Sequence, residues 1–260
     1  MNAIEKRMVS ILKELRENYG VTGVKVAMEA EGIRLDEMLR TKEVVLRAGV
    51  DLTVKIGGCE ALTDLRIAKM IGVDTVLAPM IESKFALEKF LEMVESELLP
   101  EELEDANLLI NIETVDGYEK FDQILAADNI KLLNGIVLGR TDLSSALKLG
   151  DVNSPKVLSI AKSIFLKAKQ KNLQCLVGGG ITPKSVSFLR ELKGLIDGFE
   201  TRKVVFGNYN QAEVHMEEGI IHALTFEYLW YEWKQQYYGR LVKEDVAKMK
   251  GLATIINPEL

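Results

Sequence analysis

Short apolar runs alternate with amphipathic helical runs along most of this chain of 260 residues. Helical periodicity fills the intervals between the apolar runs, as in the segment from Arg34 to Ala48. The runs predict strands at Val24–Met28, Asp51–Gly58, Asp74–Ile81, Leu108–Glu113, Gly135–Gly139, Gln174–Gly178 and Ile196–Glu200. Strands that alternate with helices are joined by right-handed crossovers into a parallel sheet. The chain is therefore restricted to a (β/α)8 barrel or a doubly wound open sheet.

The even spacing of these units and a length near about 250 residues favour the α/β class with a (β/α)8 TIM barrel. Five prolines leave no Pro-rich linker, so we expect one domain over residues 1–260, with the barrel at about 20–207. The eighth strand is either Lys203–Phe206 or a segment from the start of the chain. The segment from Ala3 to Asn18 predicts an N-terminal helix that covers the barrel floor.

A C-terminal helical extension is predicted over residues 208–260. Gln211–Gly239 forms a long helical run without strand character, and Lys243–Leu252 predicts a separate short helix. Seven of the 17 aromatic residues fall between Phe226 and Tyr238. They pack either on the chain's own barrel or on a neighbouring subunit, because aromatic residues are enriched at interface cores. We expect a homo-oligomer that forms through this helix.

Composition excludes several classes of protein. The net charge of −6 gives no electrostatic reason to expect a nucleic-acid partner. No apolar run reaches the roughly 20 residues that span a bilayer, so no membrane partner is expected. Two cysteines, Cys59 and Cys175, exclude a disulfide scaffold and predict a cytoplasmic protein.

Two carboxylates follow neighbouring predicted strands. Glu113 ends one strand, and Asp142 follows the next strand, 29 residues later. Active sites of TIM barrels lie at the C-terminal ends of the strands, and carboxylates with open water positions suit Mg²⁺ or Mn²⁺. Alternatively, each carboxylate caps the following helix or pairs with a basic side chain.

The segments around these acids resemble a known family. Asn111-Ile112-Glu113-Thr114 and Gly135-Ile136-Val137-Leu138-Gly139-Arg140-Thr141-Asp142-Leu143-Ser144 are similar to the metal-binding pair of the HpcH/HpaI aldolase and citrate lyase beta-subunit family. Val76-Leu77-Ala78-Pro79-Met80 is similar to a further segment of that family. The resemblance covers about Val24 to Arg202 and implies a barrel of the phosphoenolpyruvate/pyruvate superfamily.

The resemblance implies a metal-dependent carbon–carbon lyase or aldolase. Glu113 and Asp142 would bind Mg²⁺ (or Mn²⁺). The substrate would be a small 2-oxo acid, or its acyl or sugar-acid relative, that reacts through a pyruvate-type enolate. Metals favour such reactions because they stabilise the developing negative charge. Asn111 and Thr141, which lie in the matching motifs, would bind the substrate.

The chain departs from the family pattern at three places. Lys55 stands where the family aldolases place an arginine, so it either supports the enolate as a cation or forms a Schiff base. The family's histidine base is missing after the first strand, and Glu29 or Glu31 is the candidate to replace it. Arg140 stands in place of a proline and could bind a second anionic group of the substrate.

The triple glycine Gly178–Gly180 follows a strand and precedes a helix start. Such a loop either binds phosphate through its backbone, with Gly179 and Gly180 at the ligand, or is only a tight turn. Arg202 either lines the pocket or pairs with Glu200. A phosphorylated substrate would suit the loop, so a sugar-phosphate isomerase or epimerase is an alternative function. A non-catalytic keto-acid-binding protein is another, because the histidine is missing.

Overall fold

A computed structural model describes residues 1–256, so residues 257–260 of the expected extension lie outside the described residues. Eight strands close into a barrel in chain order. The strands are β1 (Gly23–Ala27), β2 (Asp51–Lys55), β3 (Thr75–Ala78), β4 (Asn107–Ile112), β5 (Gly135–Gly139), β6 (Gln174–Gly178), β7 (Gly198–Glu200) and β8 (Val204–Phe206). The seven strands predicted from the sequence are all present, and the barrel architecture is confirmed.

The eighth strand runs against the other seven. β1 to β7 pair in parallel, whereas β8 pairs antiparallel with both β7 and β1. A turn of residues 201–203 joins β7 to β8 without a helix, so the expected regular eighth unit is replaced by a hairpin. The strand occupies the last residues of the predicted Lys203–Phe206 segment. Because of the reversal, Thr201 and Arg202 lie at the end of the barrel where β1 to β7 finish.

Alternation along the strands divides the apolar side chains between two layers. One set packs with the surrounding helices in the main core. A separate buried cluster fills the barrel interior and consists of Leu77, Leu109, Val137, Leu176 and Val205. Successive strand residues point to opposite faces, so neighbours such as Ile110 and Val177 belong to the outer set. The packed interior gives the strand ends a rigid base.

Helices surround the strands. They are α1 (Ala3–Asn18), α2 (Leu35–Ala48), α3 (Leu62–Ile71), α4 (Lys84–Glu97), α5 (Pro100–Asp105), α6 (Val115–Glu119), α7 (Phe121–Ile124), α8 (Arg140–Ala146), α9 (Pro155–Lys169), α10 (Val186–Arg190), α11 (Tyr209–Ala212) and α12 (Met216–Ile256). Helix α1 packs against α2 and α12, so the prediction that it covers the barrel floor was wrong. It takes this place because its buried residues, such as Met8 and Leu12, form a stripe that the two helices cover.

Helix α12 is continuous, so the prediction of two separate C-terminal helices was wrong. Phe226, Trp230 and Trp233 are buried in the chain's own fold. The Trp233 indole donates a hydrogen bond of 2.9 Å to the buried Glu5 carboxylate on α1, and Trp230 stacks on Trp233. These aromatic residues therefore attach α12 to its own barrel. Within the described residues, no helix combines the length and apolar character needed to cross a membrane.

Candidate active site

A cavity of about 470 Å³ opens at the C-terminal ends of the parallel strands. All the predicted site residues except Arg140 line it, namely Glu29, Glu31, Lys55, Asn111, Glu113, Thr141, Asp142, Gly179, Gly180 and Arg202. The parallel barrel brings them together because it directs successive strand ends to one mouth. Its volume falls within the roughly 300–1,000 Å³ typical of small-molecule pockets.

Lys55 ends β2 and is almost fully buried. Its Nζ lies 2.8 Å from a Glu29 carboxylate oxygen and 3.4 Å from Glu113 Oε1. Burial alone would lower the pKa of Lys55, but the charges and hydrogen bonds of Glu113 and Glu29 outweigh it and hold the pKa above its ordinary value. Lys55 is therefore an ammonium ion at neutral pH, which makes it unsuited to attack a carbonyl as a free amine.

Glu113 follows β4 and is 2% exposed. Its carboxylate accepts hydrogen bonds from the Asn111 amide at 2.8 Å and the Met80 N–H at 3.1 Å. Gly139 makes room for it, because a Cβ at that position would lie 2.5 Å from Glu113 Oε2. Burial raises the pKa of Glu113 and the nearby Asp142 charge adds to this, against the opposing effect of Lys55. A cation beside both carboxylates would relieve this cost.

Negative charge exceeds positive charge around the cavity. The carboxylates on its wall are Glu29, Glu31, Glu113, Asp142, Glu200 and Glu227. The ion pairs that neutralise them join Lys25 to Glu200, Lys55 to both Glu29 and Glu113, Lys203 to Glu31, and Arg202 to Glu227. Asp142 has no ion pair among the described residues, and the single charge of Lys55 is shared by two carboxylates. Two negative charges therefore remain uncompensated.

The donor set at this point fits a divalent cation with oxygen ligands. Glu113 and Asp142 supply two carboxylates, and the buried Asn111 Oδ1 nearby has no hydrogen-bond partner within residues 1–256. In the same residues, no three His, Cys, Asp or Glu side chains come together as a metal cage. Mg²⁺ and Mn²⁺ commonly bind through one or two carboxylates and complete their coordination with water and substrate, whereas structural zinc needs four protein ligands.

The two candidate bases differ in their surroundings. The Glu29 side chain is about one-quarter exposed, and its one ion pair among the described residues is with Lys55. Glu31 pairs with the buried Lys203, which itself lies 5.4 Å from the Trp230 ring centre, and accepts a hydrogen bond from the Ala27 N–H. Of the two, Glu29 is the freer to reach a substrate.

Arg140 does not line the cavity, so the expectation that it binds substrate is corrected. Its side chain is fully buried and lies behind the Gly178–Gly180 loop. The guanidinium donates to the carbonyl oxygens of Gly178 and Gly179 at 3.2 and 2.8 Å and packs on the Phe188 ring. The motif placed Arg140 correctly at the strand end, but the first turn of α8 directs its side chain away from the mouth.

Sequence reasoning missed several lining residues. Lys25 lies within β1 and pairs with the buried Glu200 inside the mouth. A lysine inside an apolar strand is a signal that could have marked this position. Leu224 and Glu227 reach the cavity from α12, and Lys203 supports it from the β7–β8 turn. Helical periodicity in α12 gave no indication that this helix passes the mouth of the barrel.

The model of the HpcH/HpaI aldolase/citrate lyase family matches residues 36–182, which is more than half of the chain. The chain belongs to this family. The family contains aldolases and citrate lyases, which are carbon–carbon lyases. The matched segment includes Lys55, Glu113 and Asp142, so the chain carries these residues within the part that defines its family. A search of curated proteins found no significant match.

Three solved structures share the fold at low identity. An HpcH/HpaI aldolase from Desulfitobacterium hafniense DCB-2 is 17% identical, with 84% of this chain and 88% of that chain covered and a TM-score of 0.61. A family protein from Burkholderia cenocepacia J2315 is 14% identical, with coverages of 86% and 100% and a TM-score of 0.60. The citrate synthase SbnG is 14% identical, with coverages of 84% and 89% and a TM-score of 0.58. At these identities the likeness shows the fold alone.

Proposed function

We propose that this protein is a divalent-metal-dependent carbon–carbon lyase of the aldolase type that acts on a 2-oxo acid through its enolate. The observation that carries the proposal is the surplus of two negative charges at Glu29, Glu113 and Asp142, which have only the buried ammonium of Lys55 beside them. A divalent cation matches this charge, and the family contains lyases that break or form carbon–carbon bonds. Mg²⁺ or Mn²⁺ is the proposed ion.

Glu113 and Asp142 are the proposed metal ligands. When bound there, the metal would supply Lewis-acid stabilisation of the negative charge that develops on the substrate oxygens. The Asn111 amide and the Met80 N–H hold the Glu113 carboxylate in place. Lys55 remains protonated, so its proposed role is to stabilise the enolate oxygen by charge and hydrogen bonding rather than to form a Schiff base.

Glu29 is the proposed general base. It lies on the cavity wall and contacts Lys55 at 2.8 Å, so it faces the same substrate atoms that Lys55 would hold. Its carboxylate would take a proton from the carbon next to the carbonyl and return a solvent proton to it. Glu31 is held by Lys203 and is proposed to keep the loop after β1 in position.

The exchange of pyruvate methyl protons in D₂O, followed by proton NMR, tests the proposal without knowledge of the acceptor. We expect exchange that depends on Mg²⁺ or Mn²⁺ and disappears on chelation. Glu113→Gln and Asp142→Asn should abolish both the exchange and the binding of Mn²⁺. The matched control is Asp122→Asn, which removes one charge from a surface ion pair with Lys167 and should change neither. Unchanged Mn²⁺ affinity in both site variants would refute the metal site.

Two binding measurements, read beside the exchange experiment, separate the two alternative functions, a keto-acid-binding protein and a sugar-phosphate isomerase. Binding of the pyruvate analogue oxalate without any proton exchange would favour a keto-acid-binding protein that lacks a working base. A rise in Tm with sugar phosphates but not with pyruvate and Mg²⁺ would favour a sugar-phosphate isomerase. Metal-dependent exchange contradicts both.

A further inference from the structure

Arg140 carries a buried positive charge that the proposed chemistry does not use. Its guanidinium is fully buried, and all its hydrogen-bond acceptors are neutral, including Asn153 Oδ1 at 2.7 Å and Ser185 Oγ at 3.3 Å. No carboxylate lies within ion-pair distance of it among residues 1–256. Burial lowers the pKa of Arg140 to about 10, which leaves it charged at neutral pH. The Asp151 carboxylate lies beyond ion-pair distance, and its charge opposes this lowering without outweighing the effect of burial. An anion on the cavity side of the loop would offset more of the cost of this buried charge.

The loop in front of Arg140 turns its carbonyl groups away from the cavity. Arg140 binds the carbonyl oxygens of Gly178 and Gly179, and the Ser185 hydroxyl donates to the carbonyl of Gly180 at 3.4 Å. The described chain contains no cis peptide bond. In a trans peptide the N–H points opposite to the C=O. The N–H groups of Gly179, Gly180 and Ile181 therefore point away from Arg140 and Ser185.

These three N–H groups lack a protein acceptor in the part of the chain that the structure describes. Gly179, Gly180 and Ile181 all line the cavity wall. A backbone donor that is not paired within the protein is satisfied by water or a ligand. Successive backbone N–H groups that face one concave surface form an anion-binding nest. The guanidinium behind them polarises the same peptide groups and adds positive potential.

Only glycine permits this backbone. Gly179 and Gly180 have φ angles of +80° and +65°, in the left-handed region. A Cβ at Gly179 would also lie 2.5 Å from the Thr141 backbone nitrogen. The loop therefore packs directly against the start of α8. A simple tight turn requires neither a buried guanidinium behind the loop nor three amides facing a cavity.

We propose that the amides of Gly179, Gly180 and Ile181, backed by Arg140, bind a phosphate group on the part of the substrate that does not form the enolate. This inference rests on the proposed function, because it takes the bound phosphate to be part of the substrate of that reaction. A cavity of about 470 Å³ has room for more than a three-carbon keto acid. A phosphate monoester presents three terminal oxygens to three donors, as in other phosphate sites built from backbone amides. The substrate class is therefore a phosphorylated 2-oxo acid or a 2-oxo acid with a phosphorylated acceptor.

NMR of protein labelled with ¹⁵N-glycine tests the site directly, with inorganic phosphate as the probe. We expect phosphate to shift the amide signals of Gly179 and Gly180 and to leave those of Gly72 and Gly194, which lie outside the cavity, unchanged. Triple-resonance spectra of uniformly labelled protein assign the two signals, because alanine at either position would strain the left-handed backbone. The absence of any shift at Gly179 and Gly180 would overturn the proposal.

Substitutions of Arg140 test its part in the site. Arg140→Met should weaken phosphate binding roughly tenfold or more, and Arg140→Lys by a smaller factor because the charge remains. The matched control Lys184→Met removes an exposed charge close to the loop and should leave phosphate binding unchanged. Weaker binding in the Lys184 variant but not in the Arg140 variants would contradict the proposal. If Arg140→Met does not fold, Arg140→Lys and the wild-type titration decide the question.

A second titration separates this inference from the proposed function. Phosphate is added to protein already saturated with Mg²⁺ and oxalate, which mimics the carboxylate of the enolate unit. We expect the shifts of Gly179 and Gly180 to persist, because the two anions occupy different parts of the cavity. Loss of these shifts would mean that the loop binds the enolate's own carboxylate, which overturns the inference. Failure of oxalate to bind would count against the proposed function, whereas the phosphate response of the free protein would stand independently.

Discussion

Two walls of the cavity differ in construction. The strand-end wall consists of Lys55, Glu113 and Asp142, where Lys55 and Glu113 are buried and held by several contacts. The C-terminal wall consists of Arg202, Leu224 and Glu227, where the Arg202 side chain is 60% exposed and contacts Glu227 at 3.5 Å. The first lies within the segment that matches the family, and the second lies outside it. Under the proposed function, the buried wall would perform the chemistry and the more exposed wall would contact the rest of the substrate.

The largest expected effect is on the strand-end wall. Lys55→Met keeps the length of the side chain but removes the charge that faces Glu29 and Glu113. We expect proton exchange into pyruvate to fall roughly 10²–10³-fold, as for loss of one electrostatic donor at a reacting oxygen. Steady-state exchange rates with the fold checked by circular dichroism provide the measurement. An equal loss in Lys25→Met, which removes a charge paired with Glu200, would show that net charge rather than position matters.

The next largest effect concerns the attachment of the C-terminal wall. Trp233 is 4% exposed and donates a hydrogen bond to Glu5, so Trp233→Ala should lower the free energy of unfolding by about 3 kcal/mol. Tyr228→Ala is the control, because Tyr228 is 68% exposed on the same helix and its loss should cost under about 0.5 kcal/mol. Urea unfolding measures both values. Equal losses would show that α12 is not attached through its buried aromatic face.

A pH effect is expected where α12 contacts α2. Burial of the Glu37 carboxylate opposes its ionisation, but hydrogen bonds from Lys234, Tyr238 and the Arg34 N–H outweigh this and lower the pKa of Glu37. Such a group stabilises the fold above its unfolded pKa, and the contribution is lost as the pH falls through the lower folded value. Stability should therefore decline below pH 4.5.

The variant Glu37→Gln isolates this contribution. It should cost about 1 kcal/mol at neutral pH, where charged hydrogen bonds are lost. It should also make the unfolding midpoint less dependent on pH in the acidic range. Urea unfolding at a series of pH values makes the comparison. An unchanged pH dependence in the variant would show that protonation of Glu37 does not cause the loss of stability at acidic pH.

A smaller effect is expected on the C-terminal wall itself. Arg202→Gln removes a mostly exposed ion pair, so we expect KM for the full substrate to rise only about two- to fivefold with kcat unchanged. The rate of proton exchange into pyruvate should not change, because pyruvate lacks the part of the substrate that would contact this wall. A loss of kcat equal to that of the Lys55 variant would remove the distinction between the two walls.

The smallest effect on stability is expected from removing the residues after Gly239. The described part of α12 after this residue exposes Val242, Val246 and Met249, spaced as in a helix–helix interface. We propose that this stripe contacts a second copy of the chain. Truncation after Gly239 should leave Tm unchanged but lower the number of subunits per particle, measured by light scattering. An unchanged number of subunits would refute self-association through this segment.

Much of the fold and the site could be predicted from the sequence. Strand spacing predicted the barrel, the strand ends predicted Glu113 and Asp142 as neighbours, and the family resemblance added Lys55. Lys25 carried a sequence signal, a lysine inside an apolar strand, that was not used. Glu227 could not be predicted, because it reaches the cavity from a distant helix. The direction of the Arg140 side chain was also inaccessible, since a motif gives a position in the chain but not the rotamer.

The sequence by itself determined which faces of each element are apolar and in what order strands and helices follow one another. That information is local, because periodicity reports only that a face is buried and not what covers it. The tertiary structure decided the reversal of β8, the place of α1 beside α12, and the passage of α12 along the cavity. It also placed Arg140 behind the glycine loop. These features depend on packing between segments far apart in the chain, where many arrangements satisfy the same local pattern.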